Sequence, residues 1–133
     1  MVQFTIPGTL PSLNEYVRAC RSNIHAGSKM SREAHYLCRL GMVKLVGHKI
    51  NRVYIKFCWI EKNKRRDKDN IAFAKKFILD ALQEVGILRN DGWSEIIGFS
   101  DTFAIDKESP RVEVFLMTER EVRAHEQTEM HRV

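Results

Sequence analysis

The sequence predicts an α+β fold, a single domain in which a mixed β-sheet is packed with helices. The chain has 133 residues, a length that suits one domain with its own core. Hydrophobic residues make up 44% and charged residues 29%, which is the balance of an ordinary globular protein. Segments with strand patterns alternate with segments of helical periodicity, as expected when helices pack on a sheet. We expect one domain over residues 1–133, with residues 118–133 as a charged tail.

The first half of the chain predicts two strands and one helix. Residues 2–6 alternate apolar and polar side chains, which is the pattern of a short strand. Residues 13–28 are polar and basic and have no clear assignment. Apolar residues then recur near helical spacing, so a helix is predicted from Ser31, its expected N-cap, to residue 46. Residues 53–60 are rich in β-branched and aromatic side chains and predict a buried strand.

The second half predicts one long helix and two further strands. Residues 71–85 place their apolar side chains on one stripe, and Gly86 supplies a stop. Residues 95–99 and 111–116 have strand composition. The charged tail predicts a terminal helix or a frayed end.

Cysteine, histidine and hydropathy patterns exclude several classes of protein. The three cysteines (Cys20, Cys38 and Cys58) are odd in number and widely spaced, which indicates reduced thiols in a cytoplasmic protein. The five histidines form no HxH or HxxxH pair, so a histidine-based metal site has little support. No apolar run approaches a membrane span and no secretory signal is expected, so we predict no membrane partner.

Charge is distributed unevenly along the chain, whose formal net charge is +5. Residues 1–66 carry 13 Lys and Arg against 3 Asp and Glu, whereas residues 67–133 carry 9 against 14. A basic half suggests a polyanionic partner such as nucleic acid, although many charged faces are simply solvated.

Two aspartates, Asp67 and Asp69, follow the basic run at residues 62–66, and Asp91 comes after the predicted helix. Acids among cations suit a divalent metal held against a phosphodiester, since carboxylates ligate Mg²⁺ and cations hold the polyanion. The alternative is structural: Asp69 fits a helix N-cap, and the acids could form plain salt bridges with the basic run. An EF-hand calcium loop is rejected, because position 72 is Ala rather than Gly and position 78 is Ile.

Helical spacing also favours one lysine over its neighbour. If residues 69–85 form one continuous helix, Asp69, Lys76 and Asp80 share the face directed away from the core. Lys75 then lies at the edge of the apolar stripe. Lys76 is therefore the better candidate to work with the acids.

The same residues carry a family resemblance. Residues 66–70 read Arg-Asp-Lys-Asp-Asn, and Lys76, Asp80-Ala81-Leu82 and Asn90-Asp91 follow. This pattern resembles the signature of the RusA family of Holliday junction resolvases, endodeoxyribonucleases of phage and bacterial origin. Residues 11–16, Pro-Ser-Leu-Asn-Glu-Tyr, are similar to the opening segment of that family, and the likeness extends from about residue 2 to about residue 117.

The resemblance implies a homodimeric endonuclease that uses Mg²⁺, or alternatively Mn²⁺, to resolve four-way DNA junctions by paired nicks during recombination and repair. Its catalytic residues would be Asp67, Asp69, Asp91 and Lys76, with the three aspartates as metal ligands. Asp80, Asn70 and Asn90 match further motif positions and rank second.

Two departures from the family pattern matter. The family commonly has an acid where this chain has Asn90, and the stretch from Asn70 to Asp80 is about three residues longer than in the usual motif. The extra residues leave the catalytic lysine open between Lys76 and Lys75.

Residues expected to contact DNA share a polar or cationic side chain in the N-terminal half. They are Asn14, Arg18, Arg21, Lys29, Lys62, Lys64, Arg65 and Arg66. Such contacts would position the DNA backbone without reading sequence. Two alternatives stay open: a catalytically weak module of the same fold that binds branched DNA, and an interaction protein whose acids are only caps and salt bridges.

Overall fold

The computed structural model describes residues 1–131, with side chains as far as Gln127. Its helices and strands, with one 3₁₀ turn at Val43–Leu45, follow the chain in this order: β1 (Val2–Pro7), α1 (Leu13–Ser22), α2 (Ile24–Gly41), β2 (Val53–Glu61), α3 (Lys68–Ala72), α4 (Lys75–Glu84), β3 (Ile96–Ile105), β4 (Arg111–Met117) and α5 (Glu119–His131). The predicted α+β class is confirmed.

The strands form one four-stranded mixed sheet in the order β1-β4-β2-β3. β4 pairs antiparallel with both β1 and β2, whereas β2 and β3 are parallel. Parallel neighbours need a crossover connection, and here α3 and α4 supply it. Because β3 is the last strand in this order, it is an edge strand of the sheet. Its two ends coincide with the two ends of β2.

The core lies between one face of the sheet and the helices α2 and α4. Phe57 and Trp59 of β2 and Phe77 of α4 are almost fully buried there. Burying a large apolar side chain contributes roughly 1.5–3 kcal/mol, so this layer holds the crossover helices against the sheet. α1 packs on α2, and the ring of its Tyr16 contacts the ring of Phe77.

The first helical region differs from the prediction. α2 begins at Ile24, because the side chain of Asn23 accepts hydrogen bonds from the backbone N–H groups of His25 (2.9 Å) and Ala26 (2.8 Å). Ser31 lies inside the helix, so its assignment as N-cap was wrong. The unassigned segment contains α1, which Ser12 caps by accepting from the backbone of Glu15 at 3.2 Å.

The long helix predicted over residues 71–85 is two helices separated by a turn at Phe73 and Ala74. Backbone bonds tighten there to three-residue spacing: Lys76 N–H donates to Phe73 O at 3.2 Å, and Phe77 N–H to Ala74 O at 3.0 Å. The apolar stripe crosses the break, which explains why periodicity concealed it.

The remaining elements agree with the sequence in kind. β3 is longer than predicted and extends to Ile105, while β4 corresponds closely to its prediction. The charged tail forms α5, the helical alternative, and residues 132–133 lie outside the described part. Among the described residues, no helix has the length and apolar character to cross a membrane.

Candidate metal and nucleic-acid site

Asp67 and Asp69 lie at the turn between β2 and α3. The N-cap of α3 is Asp67 rather than Asp69, so the structural alternative proposed for Asp69 was wrong. The backbone of Asp67 is extended (φ −70°, ψ 151°) and its carbonyl accepts from Ile71 N–H at 3.0 Å, but its carboxylate makes no capping hydrogen bond. Both side chains are exposed, and no residue in the described part of the chain pairs with either carboxylate.

These aspartates line an open cavity of about 570 Å³ at the end of the β2–β3 pair. The cavity combines acids, cations and an apolar wall. Its lining residues are Glu61, Asn63, Lys64, Arg66, Asp67, Lys68, Asp69, Ile71, Phe103, Ala104 and Ile105. Acids and cations therefore face one cavity around Asp67 and Asp69, and the binding of a metal and a phosphodiester there stays a prediction.

Glu61 is a third acid in the cavity that sequence reasoning missed. It is the last residue of β2 and is buried, and this burial raises its pKa, an effect that the nearby Arg66 guanidinium partly offsets. Arg66 Nε lies 3.2 Å from Glu61 Oε1, at ion-pair distance but without hydrogen-bond geometry, and its Nη1 lies 3.5 Å from Glu15 Oε1. Arg66, expected to contact DNA, thus has two carboxylate neighbours within the chain.

The N-terminus of α1 is tied to the same turn. Asn14 N–H donates to Asn70 Oδ1 at 3.1 Å, which gives both of these predicted residues a positioning role. Together with the Glu15–Arg66 pair, this bond places α1 beside the aspartates. The other cations expected to contact DNA are exposed on α1, on α2 and in the β2–α3 turn: Arg18, Arg21, Lys29, Lys62, Lys64 and Arg65.

The two adjacent lysines occupy different environments. Lys75 Nζ lies 2.8 Å from Asp101 Oδ2 and 3.9 Å from the ring centroid of Phe99, and its side chain is only 17% exposed. Trp59 Nε1 donates to the other oxygen of Asp101 at 2.8 Å. Lys76 is exposed and has no partner among the described residues. Lys75 is therefore held by the fold, whereas Lys76 makes no such contact with the described residues.

Asp80 faces the helix layer. Its Oδ2 lies 3.3 Å from His35 Nε2 on α2, and neighbouring Glu84 pairs with Arg39 on the same helix at 2.5 Å. Asp69, Lys76 and Asp80 do not share one helix face as predicted, because the chain turns between α3 and α4. Asp80 therefore joins α4 to α2.

Asp91 lies at the opposite end of the sheet from Asp67 and Asp69. The loop that carries it is joined to the start of β2, since Val53 N–H donates to Glu95 O at 2.8 Å and Ile50 N–H to Ile87 O at 2.9 Å. The paired aspartates follow the end of β2, and a nine-residue strand separates its ends by roughly 26 Å. This register therefore corrects the expectation that Asp67, Asp69 and Asp91 lie together within one chain.

Asn90 holds the loop that carries Asp91, and the acids of the described chain are too dispersed to form a metal-binding group. Asn90 Oδ1 accepts from the backbone N–H of Asp91 at 2.8 Å, which shapes the exposed loop. Within one copy, the described residues hold no group of three or more His, Cys, Asp or Glu side chains suited to a metal ion. Glu61 could have been suspected as an acid that ends an apolar strand, but Asp101 meets Lys75 only through the folded arrangement.

No protein-family model matches the chain, and no curated protein is significantly similar to it. What bears on function is therefore the chemistry around Asp67 and Asp69.

Proposed function

We propose that this protein is a Mg²⁺-dependent, structure-specific endodeoxyribonuclease that resolves four-way (Holliday) DNA junctions by paired nicks. The observation that carries the proposal is the pair Asp67 and Asp69, exposed and without partners in the described chain, in an open cavity with Lys64 and Lys68. The resemblance of residues 66–91 to the RusA signature supports the same reaction.

The residues of the cavity fit a hard divalent cation. Two carboxylates one residue apart repel each other unless a cation lies between them, and neither is neutralised by an ion pair within the described residues. Asp67 and Asp69 would hold Mg²⁺, or Mn²⁺ in its place, and the family resemblance adds Asp91. The bound metal would supply the Lewis acidity that phosphodiester hydrolysis needs.

The cations of the chain would hold and orient the DNA. Lys64 and Lys68 line the cavity with the aspartates and would contact phosphate oxygens. Arg65, exposed in the same turn, would add to these contacts, while Lys76 would stabilise negative charge that develops on the phosphoryl group. The exposed residues of α1 and α2 (Arg18, Arg21 and Lys29) would extend this contact along a junction arm. Lys62 would add to it from the β2–α3 turn.

Paired nicks require two equivalent active sites. A two-fold homodimer presents two sites to a junction whose strands are themselves related by symmetry.

We place the enzyme in the cytoplasm, where phage or bacterial DNA undergoes recombination and repair and where the free thiols of Cys20, Cys38 and Cys58 would stay reduced.

The test compares a labelled four-way junction with a linear duplex of the same arms, in Mg²⁺, in Mn²⁺ and in EDTA. We expect paired nicks in the junction alone and only when a divalent metal is present. Equal cleavage of the linear duplex would reject structure specificity, and cleavage that persists in EDTA would reject the metal-dependent mechanism.

A second candidate is a binding module for branched DNA with weak or no catalysis. The distance between Asp91 and the paired aspartates within one chain favours it, because an isolated chain does not gather the acids of the implied centre. Gel-shift binding of the junction, measured beside cleavage for wild type and Asp91→Asn, separates the two. The enzyme loses cleavage and keeps binding in the variant, whereas the binding module has no metal-dependent cleavage in wild type.

A further inference from the structure

We propose that the cavity at Asp67 and Asp69 takes up one unstacked nucleotide, whose base lies on the ring of Phe103 while its phosphate lies against Lys64 and Lys68. Phe103 would then be a specificity-determining residue, because it would select DNA that offers an unstacked base at the branch point. This inference rests on the proposed function in one respect, namely that DNA is the ligand of the cavity.

Phe103 forms the aromatic part of the cavity wall. It lies near the end of β3, where it pairs with Trp59 of β2 in the parallel ladder, and it is partly buried against the core. The same side chain lines the cavity beside Ala104, Ile105 and Ile71. Because the core holds one side of the ring, its orientation is fixed before a ligand arrives.

The ring of Phe103 has no aromatic partner among the described residues. The contact that it does make is with a cation, since Lys68 Nζ lies 5.6 Å from the ring centroid. Lys68 is exposed, so its ammonium can leave the ring at little cost. A base stacked on an aromatic ring is held more strongly than a cation at an exposed ring, so a base would displace the ammonium.

Phe99 shows the contrasting case on the same strand. Side chains four residues apart share one face of a strand, and Phe99 is 50% exposed on that face. Its ring is covered by Lys75, whose Nζ lies 3.9 Å from the centroid and is itself held by Asp101 at 2.8 Å. Phe99 also lies outside the cavity lining. Of the two rings, Phe103 is the one that a ligand of the cavity can reach.

The phosphate-binding groups lie beside this ring. Lys68 stands between Asp67 and Asp69 in the sequence, so its contact with Phe103 brings the paired carboxylates to the same side of the cavity. Lys64 lines the cavity with them. A nucleotide carries its base and its phosphate on one sugar, so it can engage the ring and the charged groups together. Once displaced from the ring, the ammonium of Lys68 can pair with that phosphate.

The size of the cavity favours a single nucleotide over a paired segment. Its volume of about 570 Å³ is that of a small-ligand site, for which about 300–1,000 Å³ is usual. Bases within a duplex present only their edges to the grooves, and a face becomes accessible when the base leaves the stack. Aromatic rings interspersed with cations are the arrangement by which proteins hold unstacked nucleic acid.

Two forms of one four-way junction test the contact with the base. One form has an extra unpaired adenine at the branch point, and the second has an abasic site in place of that adenine. Binding is measured by fluorescence anisotropy in Ca²⁺, which carboxylates also bind, with gels to confirm that the DNA stays intact. The two forms share every phosphate, so the ratio of their dissociation constants reports the base alone. We expect wild type to bind the adenine form about tenfold more tightly, and equal affinities would overturn the proposal.

Three variants assign the preference to one ring. Phe103→Leu keeps an apolar side chain but removes the aromatic face, and Phe103→Tyr restores that face. Phe99→Leu is the matched control on the same strand. We expect the preference for adenine to fall below about twofold in Phe103→Leu and to stay near tenfold in Phe103→Tyr and Phe99→Leu. Undiminished preference in Phe103→Leu would show that the base binds elsewhere.

Cleavage of a fully paired junction in Mg²⁺ separates this inference from the proposed function. If wild type nicks that junction but binds the adenine and abasic forms equally, the inference fails while the proposed function stands. If wild type cleaves no DNA but prefers adenine through Phe103, the proposed function fails while the base-binding cavity stands.

Discussion

Lys75 and Lys76 show how neighbouring residues of the same type acquire different roles. The carboxylate of Asp101 and the ring of Phe99 hold Lys75 against the sheet, while Lys76 extends into solvent. The extra residues between Asn70 and Asp80 left the choice between the two lysines open, and the preference for Lys76 assumed one continuous helix. In the structure Lys75 is already engaged by Asp101 and Phe99, and the catalytic role of Lys76 stays a prediction.

Replacing each lysine by methionine should separate stability from catalysis. Lys75→Met leaves Asp101 without its cation in a mostly buried place, and we expect unfolding free energy to fall by about 2 kcal/mol. Lys76→Met should change stability by less than about 0.5 kcal/mol but lower junction cleavage by about 100-fold. Urea denaturation and single-turnover cleavage measure the two effects, and the reverse pattern would assign the chemistry to Lys75.

The thiols of Cys20 and Cys38 should differ in reactivity because their environments differ. Burial raises the pKa of Cys38 to about 12, whereas Cys20 is exposed on α1. Because thiolate is the reactive form, a disulfide reagent at pH 8 should modify Cys20 in the native protein and Cys38 only after unfolding. Mass spectrometry of the modified peptides checks this order, and early labelling of Cys38 would show that α2 opens readily.

At the scale of elements, local pattern was most informative where it was strongest. β1, β2 and β4 were predicted closely, because alternating or β-branched runs identify strands without knowledge of their partners. The break between α3 and α4 was missed, since Ile71, Ala74 and Phe77 keep a helical spacing across it. The start of α2 was missed because Asn23 and Ser31 are both good capping residues and only hydrogen bonds distinguish them.

The contact between α2 and β1 depends on a glycine. A Cβ atom at Gly41 would lie 2.8 Å from the carbonyl oxygen of Thr5, a backbone atom that cannot easily move. Gly41→Ala should therefore destabilise the protein by about 1–3 kcal/mol through overpacking. Ser28→Ala, at an exposed position of the same helix, is the control and should stay within about 0.5 kcal/mol of wild type in urea denaturation. Equal stability of the two variants would mean that the helix shifts freely on the sheet.

The turn between β3 and β4 should contribute to acid sensitivity. A hydrogen bond from Arg111, with help from the backbone N–H of Ser109, lowers the pKa of Asp106 below its ordinary value of 3.8. The stabilisation is present above that value and is lost as pH falls through the lower folded-state pKa. Asp106→Asn should lose less stability than wild type between pH 5 and pH 2, as measured by thermal unfolding. Lys107→Gln, in the same turn, is the control, and identical pH profiles for Asp106→Asn and wild type would contradict the assignment.

At the scale of the whole molecule, strand register governs which functional groups can meet. Asp67 and Asp69 were predicted as a pair because they are neighbours in sequence, and the structure keeps them together in one cavity. The local sequence pattern could not predict where Asp91 lies in the fold, since its position depends on the parallel pairing of β2 and β3. That pairing sends Asp91 to the end of the sheet opposite the paired aspartates.

The central proposal is that the exposed pair of aspartates supports metal-dependent cleavage of branched DNA. The most direct measurement is the initial rate of four-way junction cleavage in Mg²⁺ for wild type and Asp69→Asn, with junction binding measured in parallel. Even outer partners of metal sites cost about 10- to 100-fold when removed, so loss of a ligand should lower the rate by more than about 100-fold while binding persists. A variant that cleaves as fast as wild type would show that Asp69 has no part in the reaction.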